Sequence, residues 1–132
     1  MSAQSRTAFG ANEKIALGCI GVGRMGTNNL KNFLAQEDCR VVAVCDPYEE
    51  RRLKAKSLTD TQYGDQGCAM IDDFRQVIAR KDIDAVVIAV QDHWHALIAT
   101  AAAAAGKDIY CEKSMGISVQ QSQVILKLTF WR

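Results

Sequence analysis

Short apolar runs alternate with amphipathic stretches along most of this 132-residue chain. The runs predict five strands, at residues 15–20, 39–45, 68–71, 85–90 and 108–111. The third run is short and predicts only a weak strand. The second run is continuously apolar from Val41 to Cys45, which is typical of a parallel strand covered on both faces. Strands that alternate with helices at this spacing predict an α/β fold with a doubly wound parallel sheet.

Between the runs, apolar residues recur at helical spacing. The first helix is predicted to bury one stripe, made of Gly26, Leu30, Phe33 and Leu34. Further helices are predicted at residues 48–58, from residue 74 onward, at 96–105 and at 118–127. Asp72 or Asp73 is expected to cap the N-terminus of the helix that starts at residue 74. Gly106 is expected to end the helix at 96–105. The charged series at residues 49–56 is typical of a solvated helix face.

A glycine-rich turn joins the first strand to the first helix. Residues 21–26 read Gly-Val-Gly-Arg-Met-Gly, and Asp46 ends the second strand twenty residues after the last glycine (46 minus 26). In this context Gly21 allows the tight turn, Gly23 lets backbone approach a pyrophosphate, and Gly26 lets the helix pack closely on the sheet. The pattern predicts a dinucleotide-binding Rossmann fold. Its candidate cofactor-binding residues are Gly21, Val22, Gly23, Arg24, Met25, Gly26 and Asp46.

The acidic residue also bears on which dinucleotide is bound. Asp46 is expected to accept hydrogen bonds from the adenosine ribose hydroxyls, and its charge would repel a 2′-phosphate. The sequence therefore favours NAD. Arg51 and Arg52 follow closely, and because an arginine in this region can accommodate a 2′-phosphate, NADP stays open.

Two later segments are predicted to reach the same edge of the sheet. Residues 91–95, Gln-Asp-His-Trp-His, follow the fourth strand, and Glu112 with Lys113 follow the fifth. In a doubly wound sheet the ligand lies outside the carboxyl ends of the strands, so these residues should converge with the glycine turn. His93 and His95 without a third ligand make a poor metal site, and no metal is predicted.

These motifs together resemble the Gfo/Idh/MocA family of oxidoreductases. The resemblance rests on residues 21–26, 45–47, 82–86, 92–95 and 110–113. It implies a nicotinamide-dependent enzyme that transfers a hydride to or from a sugar, polyol or related small molecule. It also implies that Gln91 and His95 line the nicotinamide pocket, that Glu112 lies near the nicotinamide ribose, and that Lys113 lies near the reacting carbon. Lys113 and His95 are then the candidate catalytic residues.

The chain also departs from the family pattern. Gln91 and Ser114 stand where the family usually has proline, so the backbone beside Lys113 is expected to be less rigid. The family has a second domain that supplies the substrate pocket, and we expect it to be absent here. Residues 1–13 are expected to be a flexible leader and residues 14–132 one dinucleotide-binding domain. The apolar tail at residues 124–132 is expected to pack on a neighbour, pair with another copy or aggregate.

Composition narrows the class further. Sixteen basic and fifteen acidic residues give a net charge of +1, which gives no broad electrostatic footprint for nucleic acid or an anionic membrane. The Ala-rich stretch is interrupted by polar residues and predicts no membrane span. Five cysteines without a Cys-x-x-Cys pair favour buried, reduced thiols in a cytoplasmic protein. A reactive thiol at Cys111 is the alternative.

Three functions stay open on the sequence. The first is the cofactor-binding part of a sugar or polyol oxidoreductase, which alone would bind the dinucleotide weakly and turn nothing over. The second is a non-catalytic nucleotide-binding module, with Ser114 as a sign of relaxed catalytic demands. The third is a nonfunctional fragment, which predicts a poorly cooperative melt that NAD does not shift.

Overall fold

The computed structural model describes residues 14–111. Within this range the elements are β1 Ile15–Ile20, α1 Arg24–Leu34, β2 Cys39–Cys45, α2 Glu49–Tyr63, β3 Ala69–Ile71, α3 Phe74–Ala79, β4 Ala85–Ile88, α4 Asp92–Ala104 and β5 Asp108–Cys111. The predicted leader, the predicted helix at 118–127, the apolar tail, and the residues Glu112, Lys113 and Ser114 lie outside the described residues.

The five strands form one sheet in the order β3-β2-β1-β4-β5, and every pairing is parallel. β1 lies at the centre, paired with β2 on one side and with β4 on the other. The chain therefore first builds outward from β1 to β3 and then crosses back to β4. This confirms the doubly wound parallel sheet, and it places a topological switch point between β1 and β4.

Helices cover both faces of the sheet. On one face α1 and α2 pack in a cluster that includes Leu17, Leu30 and Val41. On the other face α3 and α4 pack in a second cluster that includes Val77, Val86 and Ile98. Because β2 and β4 bury side chains on both faces, they read in the sequence as continuous apolar runs.

The buried stripe of α1 is confirmed. Gly26, Leu30 and Leu34 are buried, while Phe33 is partly buried and meets the ring of Tyr110 edge to face at 5.5 Å between centroids. Asn28, Lys31 and Asn32, on the opposite side of the helix, are exposed. At α3 the choice between two caps is also resolved, because the Asp73 side chain accepts the N–H of Arg75.

Helix α2 extends five residues beyond its predicted end at residue 58. A tertiary contact holds the last turn, since the backbone N–H of Val41 in β2 donates to the Tyr63 hydroxyl at 2.9 Å. Gly64 then ends the helix in a left-handed conformation with φ +73°. A contact with a strand residue 22 positions earlier leaves no local signal in the sequence. Periodicity alone therefore predicted a helix end that is too early.

Helix α4 begins at Asp92, four residues before its predicted start, and β4 ends at Ile88 rather than at residue 90. Gln91 is the N-cap, and its carbonyl accepts the N–H of Trp94 at 2.9 Å. The segment expected to lead into the helix is therefore its first turn. The other end agrees with the prediction, since Gly106 follows the helix with φ +81°.

Two charged side chains, the half-buried Asp84 and the buried Lys107, bind backbone groups at the amino edge of the sheet. The Asp84 carboxylate accepts the N–H of Ala16 at 2.9 Å. The buried Lys107 ammonium donates to the carbonyls of Arg80 and Ile83, each at 2.8 Å. Burial lowers the pKa of Lys107, while Asp84 partly offsets this effect. This role of Lys107 could not be predicted from the sequence, because its partners are backbone carbonyls that carry no sequence signal.

Four cysteines, Cys19, Cys39, Cys45 and Cys68, are buried free thiols, as the sequence suggested for cysteines in strands. Burial raises the pKa of Cys19 and Cys45 to about 12 and that of Cys68 to about 11. These thiols stay protonated at neutral pH and are poor nucleophiles. Separately, no helix within residues 14–111 is long and apolar enough to cross a membrane.

The buried thiols lead us to expect a loss of stability at alkaline pH. Above about pH 9 the unfolded chain releases thiol protons that the native state retains, so the free energy of unfolding should fall as pH rises. Each such thiol contributes a slope of up to about 1.4 kcal/mol per pH unit, and Lys107 acts in the opposite direction. Urea denaturation from pH 7 to pH 11 measures the slope.

The matched variant is Cys19→Ala, which should be less stable at pH 7 but show a shallower decline above pH 9. A stability that stays flat up to pH 11 in the parent chain would contradict this account of the thiols.

Candidate functional site

A cleft of about 1000 Å³ lies at the carboxyl edge of the sheet. Its walls come from the turn after β1, the end of β2, the start of α3 and the start of α4. The site residues predicted from the sequence that line it are Gly21, Gly23, Arg24, Met25, Gly26, Asp46, Gln91 and His95. Val22 is buried next to them without lining the cleft. The fold thus brings the three separate segments within residues 14–111 to one place.

Two glycines make the turn after β1 possible. Gly21 has φ +90°, and a Cβ there would overlap the backbone of Ala89. A Cβ at Gly26 would overlap the carbonyl oxygen of Gly21. Helix α1 therefore rests directly on the backbone of the turn that precedes it, which agrees with the packing expected of the third glycine.

The start of α1 carries a partial positive charge into the cleft. Gly23 is the N-cap, no side chain caps the helix, and its first turn holds no acidic residue. The first turn of any helix leaves N–H groups without partners inside the helix, and these groups favour an anion. The geometry provides an anion-binding end at the wall of the cleft.

Asp46 is almost completely enclosed, with 4% of its side chain exposed. Its Oδ2 accepts the N–H of Val22 at 3.1 Å, and its Oδ1 accepts the N–H of Tyr48 at 3.0 Å. The carboxylate thus ties the glycine turn after β1 to the end of β2. Only a ribose contact was predicted for Asp46, since a bond to a backbone N–H in another segment has no sequence signature.

The two arginines after Asp46 differ. Arg52 donates to the carbonyls of Asp46 and Pro47, at 2.9 and 3.1 Å. Arg51 lies at the cleft, with Nη1 3.9 Å from Asp46 Oδ2 and Cζ 4.8 Å from the Tyr48 ring centroid. One turn after Arg52, Lys56 donates to the Cys68 carbonyl at 2.8 Å. The prediction that all charged residues at 49–56 face solvent is therefore wrong in part, because Arg52 and Lys56 bind backbone carbonyls.

At the other end of the cleft, the first turn of α4 presents an aromatic wall. Trp94 is exposed and lines the cleft, so its indole forms part of the pocket wall. His95 also borders the cleft but is only 2% exposed. Gln91 is exposed at the rim. Among the described residues, no group of three or more potential ligands lies close enough to hold a metal ion.

One wall of the cleft was missed by the sequence analysis. Residues at the start of α3 contribute to it, namely Asp72, Asp73, Phe74, Arg75 and Gln76. The segment follows the weakest strand and matches no ligand-binding motif. Its only signal was a helix cap, which predicts a helix start but not its position beside Asp46.

Comparison with known proteins identifies the class. The family model for GFO_IDH_MocA, described as an oxidoreductase family with an NAD-binding Rossmann fold, matches residues 15–129. The chain belongs to this family, and the resemblance drawn from its five motifs is confirmed.

The relatives show what the shared part belongs to. A glycosyl hydrolase family 109 protein of Saccharopolyspora erythraea is 32% identical over 117 residues, which are 86% of this chain and 26% of the relative. An inositol 2-dehydrogenase of Rhizobium meliloti is 31% identical over 114 residues, again 86% of this chain and 32% of the relative. The chain spans about a quarter to a third of these relatives.

Solved structures agree with the fold. The crystal structure of an NAD-binding protein from Listeria innocua is similar with a TM-score of 0.75 at 26% identity. The superposition covers 89% of this chain and 33% of that one. The chain therefore has the Rossmann domain of this oxidoreductase family, a domain that binds a nicotinamide dinucleotide.

The hydrogen bonds of Asp46 make a stability test possible. We expect Asp46→Ala to lower the free energy of unfolding by about 1–3 kcal/mol, because the buried N–H of Val22 loses its acceptor. The control is Asp72→Ala, which removes an exposed carboxylate from the wall of the same cleft and should change stability by less than about 0.5 kcal/mol. Urea denaturation measures the stability of both variants. Equal stability would contradict the role of the Asp46 carboxylate in joining the glycine turn to the end of β2.

Proposed function

We propose that residues 14–132 form the cofactor-binding domain of an oxidoreductase, and that this domain binds NAD in the cleft at the carboxyl edge of the sheet. The observation that carries the proposal is the turn after β1, where Gly26 touches the Gly21 carbonyl and the Asp46 carboxylate holds Val22. These contacts fix an uncapped helix start at the cleft wall. Family membership supports the same ligand.

In this proposal the pyrophosphate lies against the N-terminus of α1. The N–H groups of Arg24 and Met25 in the first turn face the phosphate oxygens, and the helix dipole favours their charge. Gly23 allows close approach, because nothing but a side-chain tip lies where its Cβ would be. The adenosine then extends toward the end of β2 and the nicotinamide toward α4.

We assign NAD over NADP on the charge of Asp46. An ionised carboxylate can accept about four hydrogen bonds, and two of those of Asp46 are taken by backbone N–H groups. The remaining capacity suits a ribose hydroxyl. A 2′-phosphate at the same place would be repelled by the carboxylate, because little solvent lies between the two negative charges to screen them.

The reacting end of the site is assigned to α4 and to the residues after β5. Bound NAD supplies the hydride acceptor, and its reduced form the donor. Gln91 and Trp94 border the space for the nicotinamide ring, and His95, proposed as a catalytic residue together with Lys113, is buried beside them. Glu112 is proposed to bind the nicotinamide ribose. Lys113 is proposed to polarise the substrate oxygen and to move its proton.

The substrate class is taken from the relatives. One is named for inositol, a polyol, and another for glycoside hydrolysis. A sugar, polyol or related small molecule is therefore the proposed substrate of the whole enzyme. The free buried thiols suit a reducing compartment, which supports the cytoplasm as the proposed location. Self-association through residues 124–132 stays a prediction.

A thermal melt tests the binding proposal. We expect NAD to raise the melting temperature of the 132-residue chain by several degrees, since a ligand at a hundred times its dissociation constant adds about 2.7 kcal/mol. The matched variant is Gly23→Ala. Its new methyl group would meet the flexible tip of Arg51 at 3.2 Å, so the variant should fold normally, yet it should lose most of the NAD shift.

Two outcomes would overturn the proposal. One is a parent chain whose melting temperature NAD does not change. The other is a Gly23→Ala variant that NAD stabilises as much as the parent, since NAD would then bind away from the glycine turn.

A further inference from the structure

Two exposed methionines differ in where they lie. Met25 is 44% exposed and Met70 is 41% exposed, and residues 14–111 contain no other methionine. Met25 lines the cleft as the second residue of α1, whereas Met70 belongs to the edge strand β3 and is not part of the cleft wall. The two thioethers therefore meet solvent to a similar degree, but only that of Met25 would meet a ligand in the cleft.

Burial protects the thiols of the same region from oxidants, and it does not protect Met25. Cys19, Cys39, Cys45 and Cys68 are buried, and burial raises the pKa of each thiol. Because the thiolate is the form that a peroxide oxidises, these thiols react slowly at neutral pH. A thioether needs no ionisation before it reacts. A mild peroxide should therefore oxidise Met25 before these four cysteines.

Oxidation changes what the Met25 side chain can do at the start of α1. A peroxide transfers one oxygen atom to the sulfur as its O–O bond breaks, so the sulfur loses two electrons and hydrogen peroxide leaves as water. The thioether is a weak acceptor, whereas the sulfoxide oxygen is polar. A glutamate of similar length near a helix start can reach back to the N–H groups there. Helix α1 has no side-chain cap, so a sulfoxide at Met25 would find such N–H groups in its own first turn.

We propose that Met25 is an oxidation site that controls dinucleotide binding. Its sulfoxide oxygen accepts N–H groups of the first turn of α1, which are the groups that the proposed function assigns to the pyrophosphate. The oxidised chain therefore binds NAD more weakly. Bound NAD in turn covers Met25 and shields its sulfur from peroxide. The inference rests on the proposed function.

Treatment of the 132-residue chain with hydrogen peroxide tests this role, with peptide mass mapping and calorimetric titration as the two readouts. Without NAD, Met25 and Met70 should be oxidised at similar rates, and saturating NAD should slow the oxidation of Met25 but not that of Met70. After removal of the peroxide, NAD binding should be weaker by about threefold to tenfold, the effect of one competing hydrogen bond.

Two variants separate Met25 from the other methionines of the chain. Met70→Leu should lose NAD affinity on peroxide treatment as the parent chain does, because Met70 lies away from the cleft. Met25→Leu should have the same NAD affinity before and after treatment, whatever its starting affinity, because it has no thioether at the start of α1.

The outcomes separate this inference from the proposed function. The role of Met25 is overturned if the parent chain keeps its NAD affinity once Met25 is oxidised, or if Met25→Leu loses as much affinity as the parent. It is overturned as well if Met25 resists peroxide that oxidises Met70, or if NAD slows the oxidation of both methionines equally. Failure of the untreated parent chain to bind NAD overturns the proposed function itself.

Discussion

The Asp46 carboxylate is the contact on which the candidate site depends. It lies at the end of β2 and accepts an N–H from the turn after β1, so two neighbouring strands are joined just where the sheet ends. The same turn is pressed from the other side by α1, which sits on the Gly21 carbonyl. These two contacts hold the start of α1 so that it points into the cleft.

The two edges of the sheet use their polar groups differently. At the amino edge, Asp84 and Lys107 form hydrogen bonds with backbone groups of the domain. At the carboxyl edge, the start of α1 has no side-chain cap, and Gln91 and Trp94 are exposed beside it. Polar groups that stabilise the domain are thus at one end, while groups left for a ligand are at the other. Asp46 is the exception, since it serves the fold and borders the cleft.

Much of the fold was readable because local patterns and the final packing agree. β1, β2 and β5 have their predicted bounds, since charged residues or glycine border each of the three runs. The glycine turn carries its own signature, because its residues are dictated by backbone geometry. The end of α2 and the start of α4 were misjudged where contacts distant in sequence, or a cap without a typical capping residue, decided the boundary.

Within the site, the sequence identified the right segments but not the partners of their side chains. Asp46 was expected to face a ribose, yet both of its oxygens already bind backbone N–H groups. Arg51 and Arg52 were equivalent in the sequence and differ in the structure, because only Arg52 reaches two carbonyls. Such differences depend on where a side chain lies relative to the backbone of another segment, which no spacing rule encodes.

The central claim is that the cleft between the glycine turn and α4 is where this domain holds a dinucleotide. The most direct measurement is a map of backbone amide NMR shifts on addition of NAD to the 132-residue chain. The account predicts large shifts for Gly23 to Gly26 and for Gln91, with Asp84 and Lys107 at the opposite edge unchanged. Shifts concentrated at the opposite edge, or no shifts at the glycine turn, would contradict it.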